Sequence, residues 1–369
     1  MKLWMYGTGE EPEKGAALLK DIGFSAVVGG PSSVEAALTQ GMEAWLCTGT
    51  YHGPSFKGTE WLARDVKQEP RDWFGSTCPN RKEVREYNLE SVRKMASTPG
   101  IKGVIIDGCR FASPASGSVN EAFFTCFCPE CQKKAREMGF DPDKMLRSAD
   151  GLYDFVHGKD VDLLPLCEGL EDWMEFRRAS TTEHLLDFVN AVHGSGNSLE
   201  PPKAGIYIFT PSLAKMVGQS YRDLNGKMDL IAPMIYRCYQ DPRGAACLNA
   251  ELAVILEILE GASSLTARER IRWLRALTGL GSDEGLSEEA GKESILRGLP
   301  VDVLRTETHR AAVMTPDSSL IPIIQLDDPD VESAVKQTMA GGAEAVDFFI
   351  YQESWVLERE ASLRKLAAL

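Results

Sequence analysis

Residues 103–106 read Gly103-Val104-Ile105-Ile106, a run of apolar or small residues without a polar interruption. Such a run is typical of a strand that is buried on both faces, as in a parallel sheet covered by helices. The next residue, Asp107, places an acid directly after the run. The sequence therefore predicts a parallel strand whose carboxyl end carries a polar group.

Similar runs recur along the chain, and amphipathic stretches with helix signals separate them. Pro12 opens one such stretch and Gly23 closes it. Eight strand candidates that alternate with helices predict an α/β protein with a (β/α)8 TIM barrel. An open, doubly wound sheet is the alternative, although no G-x-G-x-x-G follows the first run. The eight runs are Leu3–Tyr6, Ser25–Val28, Ala44–Cys47, Gly103–Ile106, Gly205–Phe209, Asp229–Tyr236, Leu320–Leu326 and Val346–Tyr351.

The connections between these runs differ in length. After the third, fourth and sixth runs the chain continues for roughly 60, 100 and 90 residues before the next one, far more than a minimal βα unit needs. In a barrel, long insertions of this kind build the walls of the site at the carboxyl ends of the strands. We therefore expect a single barrel domain over residues 1–369, with long insertions after strands 3, 4 and 6.

Composition and charge exclude several classes of protein. The 369 residues include 40 basic and 54 acidic side chains, a net charge of −14, and 43% hydrophobic residues, which is ordinary for a globular protein. An acidic chain repels phosphodiesters and anionic lipids, so we expect no nucleic-acid or membrane partner. No apolar run approaches the ~20 residues of a membrane span, and the amino-terminal one is too short for a signal peptide. Nine cysteines, an odd number, indicate reduced thiols. These features predict a soluble, cytoplasmic protein and leave a homo-oligomer open.

The most specific local pattern is a cysteine cluster. Cys126, Cys128 and Cys131 form a C-x-C-x2-C directly before a predicted helix. Thiolates are the donors that zinc prefers, and a structural zinc site needs four of them. Either Cys78 or Cys109 completes the set. The alternatives are a redox dithiol of Cys128 and Cys131, or buried cysteines without a metal; the spacing favours structural zinc.

Cys78-Pro79-Asn80 followed by the C-x-C-x2-C resembles the zinc cluster of family 42 glycoside hydrolases, the β-galactosidases on a (β/α)8 barrel. In that family one cysteine precedes the helix after the third strand, and the C-x-C-x2-C lies in the insertion after the fourth. The resemblance implies Cys78 as the fourth ligand, a zinc-binding insertion around residues 76–135, and a carbohydrate substrate. It covers the first 135 or so residues in detail. Residues 107–114 also resemble a D-G-x-R-F-x-S-P turn of looser glycoside-hydrolase-like barrels.

The chain departs from that family at two strand ends. Family 42 enzymes end the fourth strand with Asn-Glu, where the Glu is the acid/base, whereas this chain has Ile106-Asp107. They carry a nucleophilic Glu at the end of the seventh strand, whereas this chain has Gln325-Leu326-Asp327. The resemblance therefore implies the scaffold and the general chemistry, and it does not imply β-galactosidase activity.

Glycoside hydrolysis usually needs two carboxyl groups that flank one bond. In a barrel these groups lie at the carboxyl ends of strands, which makes Asp107 the first candidate and Glu353 or Asp327 its partner. Each has an alternative role. Asp107 caps a loop or pairs with Arg110, Glu353 forms a salt bridge at the rim, and the Asp327-Asp328 pair, Asp328 above all, caps the following helix.

Aromatic and polar residues at the other strand ends suit a sugar, because rings stack on pyranose faces while Arg and Gln bind hydroxyls. Two arginines among them would also suit an anionic sugar. The sequence predicts a carbohydrate-active enzyme, a glycosidase; the alternatives are a non-catalytic carbohydrate-binding barrel or a sugar-modifying enzyme such as a lyase. The predicted substrate-binding residues are Tyr6, Arg110, Tyr236, Arg237, Gln325 and Tyr351.

Overall fold

Eight parallel strands close into a barrel in a computed structural model that describes residues 1–53, 55–116, 120–195, 201–238, 247–261 and 265–369. Each strand pairs with the next, and the last pairs with the first, with Leu3 opposite Val346. The predicted (β/α)8 barrel is thus confirmed, and the open sheet is excluded. The strands are β1 Leu3–Tyr6, β2 Ala26–Gly29, β3 Glu43–Gly49, β4 Gly103–Asp107, β5 Lys203–Phe209, β6 Leu230–Met234, β7 in two pieces, Ser319–Leu320 and Ile323–Gln325, and β8 Val346–Phe349.

The interruption of β7 lies at a proline. Pro322 has no N–H to donate to a neighbouring strand, and the strand breaks there. The first piece pairs with β6, and the second pairs with both β6 and β8 and so closes the ring. Gln325, at the end of the second piece, reaches the carboxyl end of the barrel.

Helices connect the strands, and their ends follow local sequence signals. Pro12 lies in the first turn of α1, and Gly23 ends that helix in the left-handed region with φ 108°. Asp330 accepts a hydrogen bond from the Ser333 amide at the start of α12. The expectation that Asp328 caps this helix is therefore wrong. The helices are α1 Pro12–Ile22, α2 Pro31–Thr39, α3 Lys82–Ala96, α4 Pro129–Glu137, α5 Pro142–Val156, α6 Cys167–His193, α7 Tyr221–Leu224, α8 Leu248–Gly261, α9 Ala267–Thr278, α10 Lys292–Arg297, α11 Asp302–Met314, α12 Val331–Ala340, α13 Glu353–Glu358 and α14 Glu360–Ala367.

The three long connections leave from the carboxyl ends of β3, β4 and β6, as the run lengths predict. The first holds a short hairpin, Ala63–Arg64 with Pro70–Arg71, before α3. The second holds α4, α5 and α6. Together with residues of the first connection it forms a second hydrophobic core, while the later part of α6 packs against the core of the barrel. Throughout the described residues, no helix combines the length and apolar character that a membrane crossing requires.

Candidate functional site

Three polar side chains from β1, β3 and β4 meet inside the carboxyl end of the barrel. Asp107 ends β4, Tyr6 ends β1, and Cys47 belongs to β3; all three are partly buried. Tyr6 and Cys47 share a hydrogen bond, and the Asp107 carboxyl is near enough to raise the pKa of both. Burial raises the pKa of Asp107 itself, and Arg110 opposes that shift. A carboxyl group in this setting holds its proton to a higher pH than an exposed one.

A second carboxyl group, which the sequence analysis missed, lies in the interior of the barrel. Asp347 projects from the middle of β8 and is 1% exposed. Its Oδ2 accepts a hydrogen bond of 2.6 Å from the Tyr207 hydroxyl, while its Oδ1 has no partner among the described residues. Burial raises the pKa of the Asp347 carboxyl to about 7. The sequence signal that could have identified Asp347 is an acidic residue in the middle of an apolar strand.

Asp107 and Asp347 belong to one electrostatic cluster. Both raise the pKa of Tyr6, of the Cys47 thiol and of the Tyr236 hydroxyl. Tyr236 packs against Phe349 at the end of β8, with ring centroids 5.2 Å apart. The predicted residues Asp107, Tyr6 and Tyr236 thus belong to one cluster, and Asp347 is buried deeper in the barrel beside them. Two carboxyl groups in a water-poor setting can hold and transfer protons near neutral pH.

Asp347→Asn is expected to change how stability depends on pH. Because the pKa is raised in the folded protein, its stabilising contribution is present at low pH and is lost as pH rises towards 7. The wild type should therefore lose roughly 2–3 kcal/mol between pH 5 and pH 8 through this group alone, and the variant should not. Urea unfolding of both proteins at the two pH values measures the difference. Parallel pH profiles would contradict the raised pKa.

Arg110 is held in a buried aromatic setting beside the site. Its guanidinium lies 4.7 Å from the ring centre of Trp73 and 4.9 Å from that of Phe209. It donates to the Phe111 carbonyl at 3.0 Å and to Ser116 Oγ at 3.3 Å. Burial lowers the pKa of Arg110 to about 10. The expected pairing with Asp107 is purely electrostatic, and stacking on two rings fixes the side chain.

Glu251, which the sequence analysis also missed, holds the turn that follows Asp107. It lies in α8, is buried, and accepts hydrogen bonds from Ser113 Oγ and from the Ala115 amide at 3.0 Å. Burial raises its pKa to about 7, and Arg110 opposes the shift. Glu251 thus braces residues 113–115 from a helix far along the chain. The sequence signal that could have identified Glu251 is a single acidic residue on the apolar face of a helix.

Arg237 is occupied by a carboxylate of the protein itself. Its Nε and Nη2 donate to Asp328 at 2.7 and 2.5 Å, and its Nη1 donates to the Leu299 carbonyl at 2.6 Å. Both side chains are buried, and the ion pair raises the pKa of Arg237 against burial. The guanidinium is therefore bound within the protein. Of the two arginines that suggested an anionic sugar, Arg237 no longer supports that interpretation.

Asp328→Ala is expected to destabilise the protein by about 3 kcal/mol, because it leaves the Arg237 charge buried without its partner. The double variant Arg237→Met/Asp328→Leu should recover most of that loss, since it removes both charges together. Chemical denaturation of the three proteins measures the effect. A single variant as stable as the wild type would mean that water already reaches Arg237.

Two predicted residues, Glu353 and Tyr351, lie apart from the cluster around Asp107. Glu353 is exposed at the start of α13 and forms an ion pair of 3.0 Å with Lys14, which is the rim salt bridge considered as its alternative. Tyr351 packs its ring against the backbone of Gly9 and Gly15 near that pair. Neither side chain meets the cluster through any contact in the described part of the chain.

Two predicted residues sit at the end of β7. The amide oxygen of Gln325 accepts from the Cys238 backbone N–H at 3.0 Å, and its amide nitrogen lies 3.4 Å from Asp327 Oδ1. Asp327 is partly buried, and burial raises its pKa. Gln325 thus ties the end of β7 to the chain after β6. Asp327 keeps a carboxylate available at this strand end.

Four buried cysteines from the connections after β3 and β4 converge. The sulfur atoms of Cys78, Cys126, Cys128 and Cys131 all lie within 4.8 Å of one another. The Asn80 side-chain amide donates to Cys131 Sγ at 3.3 Å, and the Arg64 backbone N–H donates to Cys126 Sγ at 3.3 Å. Hydrogen bonds from the other three thiols hold the pKa of Cys128 far below its ordinary value. Four soft donors with amide hydrogen bonds to the sulfurs fit a tetrahedral metal ion.

Cys109, the alternative fourth ligand, faces another group. Its sulfur lies 3.2 Å from the Tyr51 hydroxyl, and burial raises its pKa to about 12. The four-cysteine group contains Cys78 in its place, as the resemblance implies. The four thiols are suited to binding an ion and leave no open coordination position for a substrate.

Comparisons with known proteins bear on the fold. The sequence matches no protein-family profile and no curated protein. A β-galactosidase from the Antarctic haloarchaeon Halorubrum lacusprofundi is similar in structure, with a TM-score of 0.61 and 14% identity over 95% of this chain and 53% of that one. A β-galactosidase from the psychrophilic Marinomonas ef1 gives 0.62 and 12%, over 100% of this chain and 59% of that one. The chain therefore spans little more than half the length of either β-galactosidase.

The catalytic domain of a β-amylase from Paenibacillus polymyxa has a more similar length. It gives a TM-score of 0.55 and 11% identity over 99% of this chain and 98% of that one. At these identities the three likenesses establish a shared barrel architecture. The chemistry of this chain must be argued from its own residues.

Proposed function

We propose that the chain is a carbohydrate-active enzyme, a glycoside hydrolase that works at the carboxyl end of its barrel. The observation that carries the proposal is Asp107, a partly buried carboxyl group at the end of β4 whose pKa is raised by burial. Such a group suits a general acid that protonates the leaving oxygen of a glycoside. The barrels of the similar β-galactosidases and β-amylase support a carbohydrate substrate.

The second carboxylate is best supplied by Asp327. It lies two residues beyond the end of β7, and no cation lies within ion-pair distance of its carboxylate among the described residues. Glu353 is the weaker candidate because it is exposed at the rim, where it forms an ion pair with Lys14. Asp347 is too buried to touch a substrate and acts as a positioning residue through Tyr207. The proposal requires about 5–10 Å between the Asp107 and Asp327 carboxyl groups once a sugar is bound.

Tyr6, which is partly buried, supplies the aromatic contact of the proposed sugar site, and the buried Tyr236 ring lies in the same cluster behind it. Both belong to the cluster around Asp107, and Tyr6 also lies near Tyr207, with ring centroids 5.9 Å apart. Rings arranged around a carboxyl group suit the apolar face of a pyranose. Arg110 lies buried behind the Asp107 turn and acts on Asp107 through its charge.

A non-catalytic carbohydrate-binding barrel is the second candidate. It is favoured by Gln325, whose amide is hydrogen-bonded at the strand end where the resembling family has a glutamate. A lyase acting on a sugar is a third. Wild-type protein assayed on a panel of aryl glycosides and oligosaccharides, with Asp107→Asn as control, tests the proposal. Hydrolysis by the wild type supports it, binding without turnover supports the second candidate, and unsaturated products support the third.

We also propose that the four cysteines hold a structural zinc ion. Four thiolates are the usual donor set of such sites, and the likeness to the family 42 cluster points to the same metal. When bound, zinc would tie the connection after β3, through Cys78, to the start of α4 in the connection after β4. Cys78, Cys126, Cys128 and Cys131 would all ligate as thiolates, which gives the ion a role in folding.

A further inference from the structure

Arg177 is a fully buried arginine without a carboxylate partner. It lies in α6 and is 0% exposed. Its Nη2 donates to the Ala112 carbonyl at 2.9 Å, but its Nε and Nη1 have no hydrogen-bond partner. No carboxylate forms an ion pair with it in the part of the chain that the structure describes. A buried charge of this kind is costly unless an opposite charge compensates it.

Three aromatic rings surround the guanidinium. Its central carbon lies 4.8 Å from the ring centre of Phe111, 5.2 Å from that of Phe123 and 4.9 Å from that of Trp173. The indole N–H of Trp173 is a third buried donor without a partner. Ring faces stabilise a cation only partly, so the rings and the single carbonyl leave most of the positive charge without compensation.

The rings lead from Arg177 to the four cysteines. Trp173 stacks on Phe127 with ring centroids 5.9 Å apart, and Phe127 stands between two of the cysteines in the chain. All four cysteines and these rings share one apolar core. Cys126 and Cys131 are the groups that raise the pKa of Arg177 against its burial, whereas Arg110 lowers it further. Cys126 and Cys131 therefore lie near enough to stabilise the charge of Arg177 once they bind a metal as thiolates.

We propose that Arg177 is the counter-cation of the four-cysteine metal centre. Four thiolates around a divalent ion carry two net negative charges, which the apolar core would otherwise bury without compensation. Arg177 supplies one positive charge inside the same core, where the low dielectric lets charges act over several ångströms. This role rests on the zinc centre proposed above. Through its bond to Ala112, Arg177 also joins that centre to the turn after Asp107.

The test compares Arg177→Gln with Arg177→Lys in zinc-loaded, full-length protein. Glutamine can still donate to the Ala112 carbonyl but has no charge, whereas lysine keeps the charge. We expect the glutamine variant to bind zinc about 10–100-fold more weakly in competition with a chromophoric chelator, and the lysine variant to fall within a few-fold of the wild type. Cobalt(II) absorption of each variant reports whether four-thiolate coordination is kept.

Arg136→Gln is the matched control, because this exposed arginine lies in the same helix as Cys131. It should leave zinc affinity unchanged, since solvent screens its charge. Equal zinc affinities for the glutamine and lysine variants would overturn the proposal, and so would failure of both variants to fold with zinc bound. A wild type that contains and binds no zinc would instead refute the metal centre itself.

Discussion

Asp107→Asn is expected to lower the turnover of the glycoside substrate by about 10²–10⁴-fold, the size of a lost general acid. The amide is nearly isosteric with the carboxyl group, and burial already favours the neutral acid at this position. The fold should therefore be kept. The rate of the wild type should also fall on the alkaline side, because the raised pKa marks the pH above which Asp107 loses its proton. Initial rates across pH on the best glycoside of the panel measure both effects.

Asp330→Asn is the control for this experiment, since asparagine caps a helix about as well as aspartate and the residue lies outside the cluster. Asp327→Asn should also remove most of the activity, whereas Glu353→Gln should leave most of it. Activity of Asp107→Asn close to that of the wild type would make Asp107 a structural turn residue. A wild type that binds sugars without converting them would favour the binding barrel.

Loss of the metal is expected to cause the largest change in stability. The purified protein should contain close to one zinc per chain, and Cys128→Ser should lower both the zinc content and the free energy of unfolding, the latter by on the order of 5 kcal/mol. The reason is that the four thiols belong to the core shared by the connections after β3 and β4. Loss of one ligand would weaken the link that the ion forms between them. Elemental analysis and thermal unfolding measure the two quantities.

Cys167→Ser is the matched control for Cys128→Ser. Cys167 is exposed at the start of α6 and lies outside the four-cysteine group. It should keep its zinc and its melting temperature. Reduced, freshly purified wild type without zinc would refute the metal centre, and a folded Cys128→Ser protein with full zinc content would show that three thiols suffice.

The barrel could be predicted from the sequence because its signals are local. The strand Gly103–Asp107, for example, begins with an apolar run of four residues that are all buried in the structure. The four cysteines were predictable for a similar reason, since three of them lie within six residues. Local spacing could not decide whether Cys78 or Cys109 is the fourth cysteine of the cluster. That choice needed a family resemblance, because spacing alone does not say which distant thiol folds onto the cluster.

The contacts within the site depend on residues that are far apart in the chain. Arg237 looked like a residue for substrate because Asp328, its partner, stands 91 positions away. Glu353 looked catalytic because Lys14, its partner, lies near the other end of the chain. No periodicity of hydrophobic residues encodes such pairs. They arise only when β1, β6, β7 and β8 are brought side by side.

Asp347 and Glu251 were missed for another reason. An acid within an apolar strand or helix is more often at a solvent edge than at the centre of a core, so each looked unremarkable in the sequence. The structure buries both, and burial raises both pKa values to about 7. Their functional interest depends on this burial, which is a property of the assembled barrel.

Because Leu3 lies opposite Val346, the ring of strands is complete only when the two ends of this sequence have met. That pairing encloses nearly the whole sequence in one loop. The entropy lost when a loop closes, and hence its free-energy cost, rises with the length of the loop. Such non-local pairing also slows folding, since it adds little stability until both partners are in place. The barrel is therefore not closed until β8 pairs with both β1 and β7. A chain still lacking β8 leaves β1 and the second piece of β7 as unpaired edges, open to association with other chains.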